Sequence, residues 1–95
     1  MSSPAIEDFV IDEENVEKFS NHGLTDAQVL QVLEPPYIVV KNRRNRRCLY
    51  LVVGRDYSGN CITIPVEKTP ERGVWRPVTA WPCKYVELQA LTQRS

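Results

Sequence analysis

The sequence has few of the residue types that mark a metalloprotein or a disulfide-rich protein. It contains one histidine and three cysteines, Cys48, Cys61 and Cys83, without any C-x-x-C spacing. A zinc site needs several such ligands at regular spacing, so no metal and no cofactor is predicted. We expect the cysteines to be buried or half-buried thiols.

Long apolar runs are also missing. No stretch approaches the roughly 20 apolar residues that a membrane-spanning helix needs, and the polar, acidic first residues do not resemble a signal peptide. The sequence therefore predicts a cytoplasmic protein without a membrane partner. Phosphate-binding glycine loops, H-E-x-x-H and nucleophile-elbow motifs are absent too, which argues against nucleotide-driven, metalloprotease and esterase chemistry.

A strong division of charge is what the sequence does contain. Residues 1–40 hold eight acidic side chains and one lysine, whereas residues 41–95 hold eleven basic and four acidic side chains. The two parts carry net charges of −7 and +7, although the whole chain is neutral. This asymmetry indicates an anionic partner for the C-terminal part.

The N-terminal part has the pattern of two short helices. Asp12 is a suitable N-cap for a first helix that ends near Asn21, and Gly23 suits the left-handed residue that follows a helix. Thr25 and Gln28 form a capping box for a second helix. That helix is predicted over residues 26–33, with Val29, Leu30 and Leu33 buried and prolines at 35 and 36 ending it.

From residue 37 the pattern changes to that of β-strands. Strands are predicted over residues 37–41, 47–54, 60–66 and 74–81, and a last helix over 84–93, with Val86, Leu88 and Leu91 as its apolar residues. A four-residue hairpin loop over 56–59, with Gly59 left-handed, pairs residue 52 with 63. Leu51 and Val53 then face the core, and Tyr50 and Val52 point away from it.

The order of elements predicts an α+β domain. It consists of two short N-terminal helices, a four-stranded antiparallel meander and a C-terminal helix, with the helices on one face of the sheet. Residues 1–8 are expected to be a flexible N-terminus and residues 9–95 a single domain. Pro65 and Pro77 fall inside predicted strands and indicate edge positions or bulges.

The densest positive charge lies between the first two predicted strands, in K-N-R-R-N-R-R over residues 41–47. Arginines in such a cluster can hold several phosphates of a nucleic acid. The candidate nucleic-acid-binding residues are Lys41, Arg43, Arg44, Arg46, Arg47, Tyr50 and Arg55. An acidic protein segment would satisfy the same charges, and asparagine and arginine also suit an ordinary hydrated hairpin tip. All three interpretations stay open.

Two residues are candidates for chemistry on a phosphodiester. His22 follows the first helix, whose dipole favours a protonated imidazole, and a histidine near neutrality can transfer protons. A structural or merely exposed histidine is the alternative. Arg76 lies in the apolar stretch V-W-R-P-V-T-A-W and needs either a carboxylate or a phosphate as partner. The flanking tryptophans fit core anchors as well as platforms for base stacking.

Two short segments resemble the BrnT-type toxin family. N-H-G-L-T-D-A-Q-V at 21–29 is similar to its K-H-G-hydrophobic-[ST] helix corner, and R-P-V-T-A-W at 76–81 is similar to its R-I-I-S-A-R strand. Glu87 is placed like the glutamate of the helix that follows. The resemblance spans about residues 9–92. It implies a RelE-like fold, metal-independent endoribonuclease activity on RNA, a ribbon-helix-helix antitoxin as partner, and catalytic roles for His22, Arg76 and Thr79.

The chain departs from the family pattern at two positions. Asn21 stands where the family has lysine, and Trp81 stands where it has a second arginine. Both changes remove a cation that could stabilise charge in a cleavage transition state. The sequence thus predicts either an endoribonuclease toxin or a catalytically inactive RNA- or protein-binding module on the same scaffold. A housekeeping domain with a small-molecule pocket has no specific support.

Overall fold

The computed structural model describes residues 5–43 and 48–94. Within these ranges lie three helices and a six-stranded sheet. The strands are β1 (Asp8–Phe9), β2 (Tyr37–Lys41), β3 (Tyr50–Arg55), β4 (Cys61–Lys68), β5 (Val74–Pro77) and β6 (Trp81–Pro82), and the helices are α1 (Glu13–Ser20), α2 (Asp26–Gln31) and α3 (Tyr85–Arg94). The predicted α+β class is confirmed, whereas the predicted four-stranded antiparallel meander is not matched in detail.

The sheet is mixed rather than purely antiparallel. Its strand order is β1-β5-β4-β3-β2, and each neighbouring pair from β2 to β5 is antiparallel. Strand β1 extends the sheet by pairing parallel with β5, and β6 pairs with the beginning of β4. The two additional strands have only two residues each, so they carry too little alternation to be recognised from the sequence.

The segment before α1 makes specific contacts with the sheet, although residues 1–8 were expected to form a flexible N-terminus. Of these residues the structure describes 5–8. The Ile6 side chain is buried, and its carbonyl accepts a hydrogen bond from the Tyr37 hydroxyl at 3.2 Å. The Trp75 indole nitrogen donates to the Ala5 carbonyl at 3.1 Å. The buried Trp75 and the half-buried Tyr37 thus find hydrogen-bond acceptors in this segment, as polar groups removed from water require.

Both N-terminal helices begin as their capping residues predict. The Asp12 carboxylate accepts from the Asn15 amide, and the Thr25 hydroxyl accepts from the Gln28 amide, each within a complete capping box. Gly23 has a φ of 75°, which confirms the left-handed end after α1. α2 is shorter than predicted, and Val32 rather than Leu30 is buried beside Val29.

The β3–β4 hairpin is paired one residue away from the predicted register. Val52 pairs with Ile64 instead of residue 63, because the loop holds five residues, 56–60, rather than four. The Asp56 carboxylate accepts hydrogen bonds from the Ser58 and Asn60 amides and so holds the additional residue in the loop. A shift by one residue exchanges the two faces of a strand. Tyr50 and Val52 therefore face the core beneath α1 and α2, which corrects the predicted outward direction.

Helices cover both sides of the sheet, not one side as predicted. The main core contains Phe19 of α1, Val29 of α2 and Val32 at the end of α2. These side chains pack with residues of the sheet, namely Val52, Ile62, Ile64 and Val66. Side chains alternate along a strand, so Leu51 and Val53 lie on the opposite face. α3 covers that face, where it contacts β2 and β3.

The two strand prolines lie where the partner of β4 changes. Val66–Lys68 of β4 pairs with β5, whereas Ile62 and Thr63 pair with β6. Pro65 stands between these two stretches, and Pro77 is the last residue of β5. The prolines therefore lie where the ladder is interrupted, and Pro77 has a strand partner in β4 but none in β1.

A disulfide joins Cys61 of β4 to Cys83, just after β6. This corrects the expectation of three thiols, since only Cys48 lies outside a disulfide, and it is buried. The two half-cystines are separated by 22 residues in the sequence and meet because β6 pairs with β4. Local spacing holds no information on that contact.

No helix within the described ranges is long and apolar enough to cross a membrane.

Candidate functional site

A groove with both apolar and charged lining residues lies between α3 and the face of β2 and β3. We call it the basic groove. It has a volume of about 690 Å³ and is lined by Val40, Lys41, Asn42, Arg43, Leu51, Val53, Trp81, Lys84, Val86, Glu87 and Ala90. Strand residues form its floor, and α3 with the segment before it forms one wall. Leu91 of α3 is buried, and α3 contacts both β2 and β3.

Glu87 fixes the wall of the basic groove. Its carboxylate accepts hydrogen bonds from the Lys84 backbone amide at 2.8 Å and from the Trp81 indole nitrogen at 3.1 Å. The first contact satisfies an amide at the beginning of α3, as the acidic residue of a capping box does. The second holds the indole plane in place. Glu87 thus has a structural role at the position where the family resemblance places a glutamate.

Three of the residues that line the basic groove are cationic. Lys41, Arg43 and Lys84 are exposed, and the Lys84 ammonium lies over the Trp81 ring, 5.6 Å from its centroid. Val86 contributes an apolar side chain that is 67% exposed. The single carboxylate in the lining, Glu87, is engaged in the contacts above. The cationic residues of the groove could therefore bind the negative charges of an anionic ligand, and the apolar residues could contact its apolar side groups.

Arg76, predicted to hold phosphate, is surrounded by carboxylates of its own chain. Its guanidinium contacts Glu67 at 2.8 Å, Asp12 at 3.0 Å and Glu14 at 3.8 Å. Hydrogen bonds to Glu67 and then to Asp12 raise the pKa of Arg76. The pKa of the Asp12 carboxyl is lowered, first by the Asn15 amide and then by Arg76. Of the two partners that the sequence allowed, carboxylate and phosphate, the fold supplies carboxylates.

His22 and Arg76 are not brought together. His22 is exposed two residues beyond the C-terminal end of α1, whereas Arg76 binds Asp12, the N-cap of the same helix. An eight-residue helix is about 12 Å long at 1.5 Å per residue. That length of helix separates the two groups. Thr79 is half-buried in the short segment between β5 and β6.

The predicted nucleic-acid-binding residues are divided between several places. Lys41 and Arg43 line the basic groove. Arg55 is exposed at the other end of β3, about 17 Å from Tyr50 at 3.3 Å per residue. Tyr50 faces the core, where its ring meets that of Trp75 edge to face at 5.8 Å. Arg44, Arg46 and Arg47 lie outside the described residues.

Sequence reasoning missed the contribution of α3 and the segment before it. Trp81 was interpreted as the loss of a cation and as a core anchor or stacking platform, and Val86 only as an apolar residue of the last helix. A partial signal was present, because Lys84, Glu87 and Ala90 follow one another at intervals of three on a helix and so share a side. Within the described ranges, no three His, Cys, Asp or Glu side chains gather as a metal site requires.

Comparison with known proteins adds no assignment. A scan against models of protein families finds no match, and a search of curated proteins finds no relative.

Proposed function

We propose that this chain is a non-catalytic binding module whose basic groove takes an acidic, partly apolar segment of another protein. The observation that carries the proposal is the lining itself, which combines Lys41, Arg43 and Lys84 with apolar residues of the strands and α3. Charges at the rim attract and orient a partner, while apolar contacts supply most of the affinity. The engagement of Arg76 by three carboxylates also favours a module without phosphodiester chemistry.

A protein segment fits the basic groove better than a nucleic acid does. Binding of single-stranded RNA relies on aromatic rings that stack on the bases. In this groove the Trp81 ring is covered on one face by Lys84, and Tyr50 is paired with Trp75 in the core. The remaining floor is aliphatic, which suits the side chains of an amphipathic peptide.

Peptide binding to the basic groove is the direct test. Fluorescence anisotropy would measure a labelled amphipathic peptide of Glu and Leu, the same peptide with Lys in place of Glu, and a single-stranded RNA. We expect the acidic peptide to bind more tightly than the other two. Lys84→Glu should weaken binding by at least about fivefold, since an exposed ion pair contributes up to about 1 kcal/mol and reversal also adds repulsion.

Lys68→Glu is the matched control for that experiment. Lys68 is an exposed cation at the end of β4, outside the basic groove, so its reversal should leave peptide affinity within about twofold of the unaltered protein. Equal losses for both variants would indicate nonspecific charge attraction. Preference for RNA over the acidic peptide would replace the proposed ligand class.

An endoribonuclease toxin similar to the BrnT family is the second candidate. Two observations favour it: two capped helices precede four consecutive antiparallel strands, and the glycine of the N-H-G corner has the positive φ that explains its place in the motif. On this proposal the scaffold is RelE-like, His22 transfers protons, Arg76 and Thr79 contact the phosphate, and a ribbon-helix-helix antitoxin is the partner.

RNA cleavage in the presence of a chelator separates the two candidates. The toxin proposal expects cleavage products from purified protein without metal, and their loss in His22→Ala. It also expects growth arrest on overexpression, relieved by a small neighbouring gene product. If RNA stays intact at low salt with the unaltered protein as well as with His22→Ala, the catalytic function is ruled out and the binding module remains.

A further inference from the structure

A second surface on this chain combines apolar side chains with the opposite charge. We call it the acidic patch. It is lined by Phe9, Ile11, Asp12, Glu13, Val16, Asp26 and Leu30, from the end of β1, the beginning of α1, and α2. Asp12 forms an ion pair with Arg76. Glu13 and Asp26 are exposed, so their carboxylates can bind cationic groups of a partner.

Apolar side chains project from the acidic patch instead of entering the core. Leu30 is 43% exposed and Val16 is 37% exposed, although both belong to short helices whose core contacts are made by Phe19 and Val29. Adjacent apolar groups rimmed by charge are typical of interaction surfaces rather than of an ordinary solvated helix face. The acidic patch therefore needs a partner that offers apolar contacts together with positive charge.

The basic groove meets both requirements. It presents an aliphatic floor, and Lys41, Arg43 and Lys84 are among its lining residues. The two surfaces lie on opposite sides of the molecule, since α1 and α2 cover one face of the sheet and α3 covers the other. One chain thus carries two surfaces that are complementary to each other but cannot meet within a single copy.

We propose that a second copy of this chain is the occupant of the acidic patch, which binds head to tail in the basic groove of that copy. Leu30 and Val16 would lie over the aliphatic floor, while Glu13 and Asp26 would approach Lys41 and Lys84. A heterologous contact of this kind does not close on itself as a symmetric dimer does, so it extends into short chains of copies. The zero net charge of the protein removes the repulsion that would oppose such association.

This inference rests on the proposed function only in its use of the same groove. A partner peptide and the acidic patch of a neighbouring copy would compete for the basic groove, so partner binding would disperse the assemblies. Self-association would in turn keep the groove covered in the absence of the partner. The groove lining supplies this competition without any change of conformation.

Sedimentation velocity with charge-reversed variants tests the proposal. Glu13→Lys with Asp26→Lys reverses the acidic patch, and Lys41→Glu with Lys84→Glu reverses the rim of the basic groove. We expect the unaltered protein to sediment faster as its concentration rises, and high salt to abolish this dependence. Each reversed variant alone should remain monomeric at all concentrations, because like charges then face each other.

Mixing the two charge-reversed variants restores charge complementarity and distinguishes specific docking from nonspecific association. The two reversed variants together should associate, because each offers the charge that the other needs, and a chain that carries all four substitutions should associate by itself. Glu71→Lys with Lys68→Glu, two exposed charges outside both surfaces, is the control and should behave as the unaltered protein. Circular dichroism would verify that all variants are folded.

Two outcomes would overturn the proposal. A protein that stays monomeric at every concentration and at low salt does not self-associate, and association that survives both reversals uses other surfaces. Neither outcome affects the proposed function, which is measured with the acidic peptide at dilutions where the protein is monomeric. Conversely, failure of peptide binding combined with rescue by mixing would leave the self-association intact.

Discussion

Asp56 holds the β3–β4 loop with four hydrogen bonds from three residues. One carboxylate oxygen accepts from the Ser58 and Asn60 amides, and the other accepts from the Gln28 and Asn60 side chains. Burial by itself raises the pKa of Asp56, but the hydrogen bonds from Gln28, Asn60 and Ser58 together lower it below 3.8. This residue therefore joins α2 to the sheet through its charge.

We predict that Asp56→Asn reduces the free energy of unfolding by about 2 kcal/mol, because one carboxylate oxygen becomes an amide group that faces two donors. Glu34→Gln, an exposed acid, should change it by less than about 0.5 kcal/mol. Urea unfolding measures both. Equal stability of the Asp56→Asn variant and the unaltered protein would mean that the loop is held by other contacts.

The pH dependence of this difference follows from the lowered pKa. The unfolded chain protonates Asp56 near 3.8 and the folded chain only below that value. The contribution of the carboxylate is thus complete above the unfolded-state pKa and is lost as pH falls through the folded-state pKa. The unfolding curves of Asp56→Asn and the unaltered protein should converge in strong acid and separate at neutral pH.

At the scale of elements, two glycines test different constraints. Gly54 of β3 has the end of α2 directly above it, where a β-carbon would lie 2.8 Å from Val32 Cγ1 and 3.0 Å from Tyr37 Cβ. Gly23 has open space around it but a φ of 75°. The first glycine is required by close packing between helix and sheet, and the second by the direction of the backbone.

We predict that Gly54→Ala costs about 1–3 kcal/mol through overpacking and that Gly23→Ala costs about 1 kcal/mol through backbone strain. Adding Val32→Ala should relieve part of the Gly54→Ala effect, because the crowded methyl is removed, and should be additive with Gly23→Ala. Thermal or urea unfolding of the single and double variants measures this coupling. Additivity in both pairs would contradict the close approach at Gly54.

The helix ends were predictable from the sequence because they depend on local chemistry. The contacts between distant segments were not predictable. Asp12, Thr25 and Gly23 act within three or four residues of themselves, so the sequence shows their roles directly. The register of β3 with β4 depends on one additional loop residue held by Asp56, which the alternation of apolar residues does not reveal. The short strands β1 and β6 depend almost entirely on their neighbours.

The candidate site shows the same limit. The sequence identified Lys41 and Arg43 by their charge, but placing Lys84 and Val86 beside them required the position of α3. Arg76 illustrates the reverse case: its need for an anionic partner was clear, and only the fold shows that Asp12, 64 residues away, supplies it. Residue type predicts what a side chain needs, whereas topology decides what it meets.

For the molecule as a whole, the Cys61–Cys83 disulfide ties the wall of the basic groove to the sheet. We predict that Cys83→Ser reduces the free energy of unfolding by about 3 kcal/mol, the contribution of a bond that closes a loop of this length. Treatment of the unaltered protein with excess dithiol should have the same effect and should not change Cys83→Ser further. Unfolding followed by tryptophan fluorescence measures all three.

Cys48→Ala provides the control for the disulfide. It removes the buried thiol that is outside the disulfide and should keep the sensitivity to dithiol, since the Cys61–Cys83 bond is unchanged. A variant that loses this sensitivity would assign the bond to a different pair of cysteines.

The opposite placement of the acidic patch and the basic groove gives the molecule a permanent electric dipole across the sheet. A protein of this kind does not behave as uncharged at its isoelectric point. It should bind to both anion- and cation-exchange resins, presenting a different face to each. Tethered to a charged surface, it would be oriented before any specific contact forms, and the sign of that surface would decide which side stays available in solution.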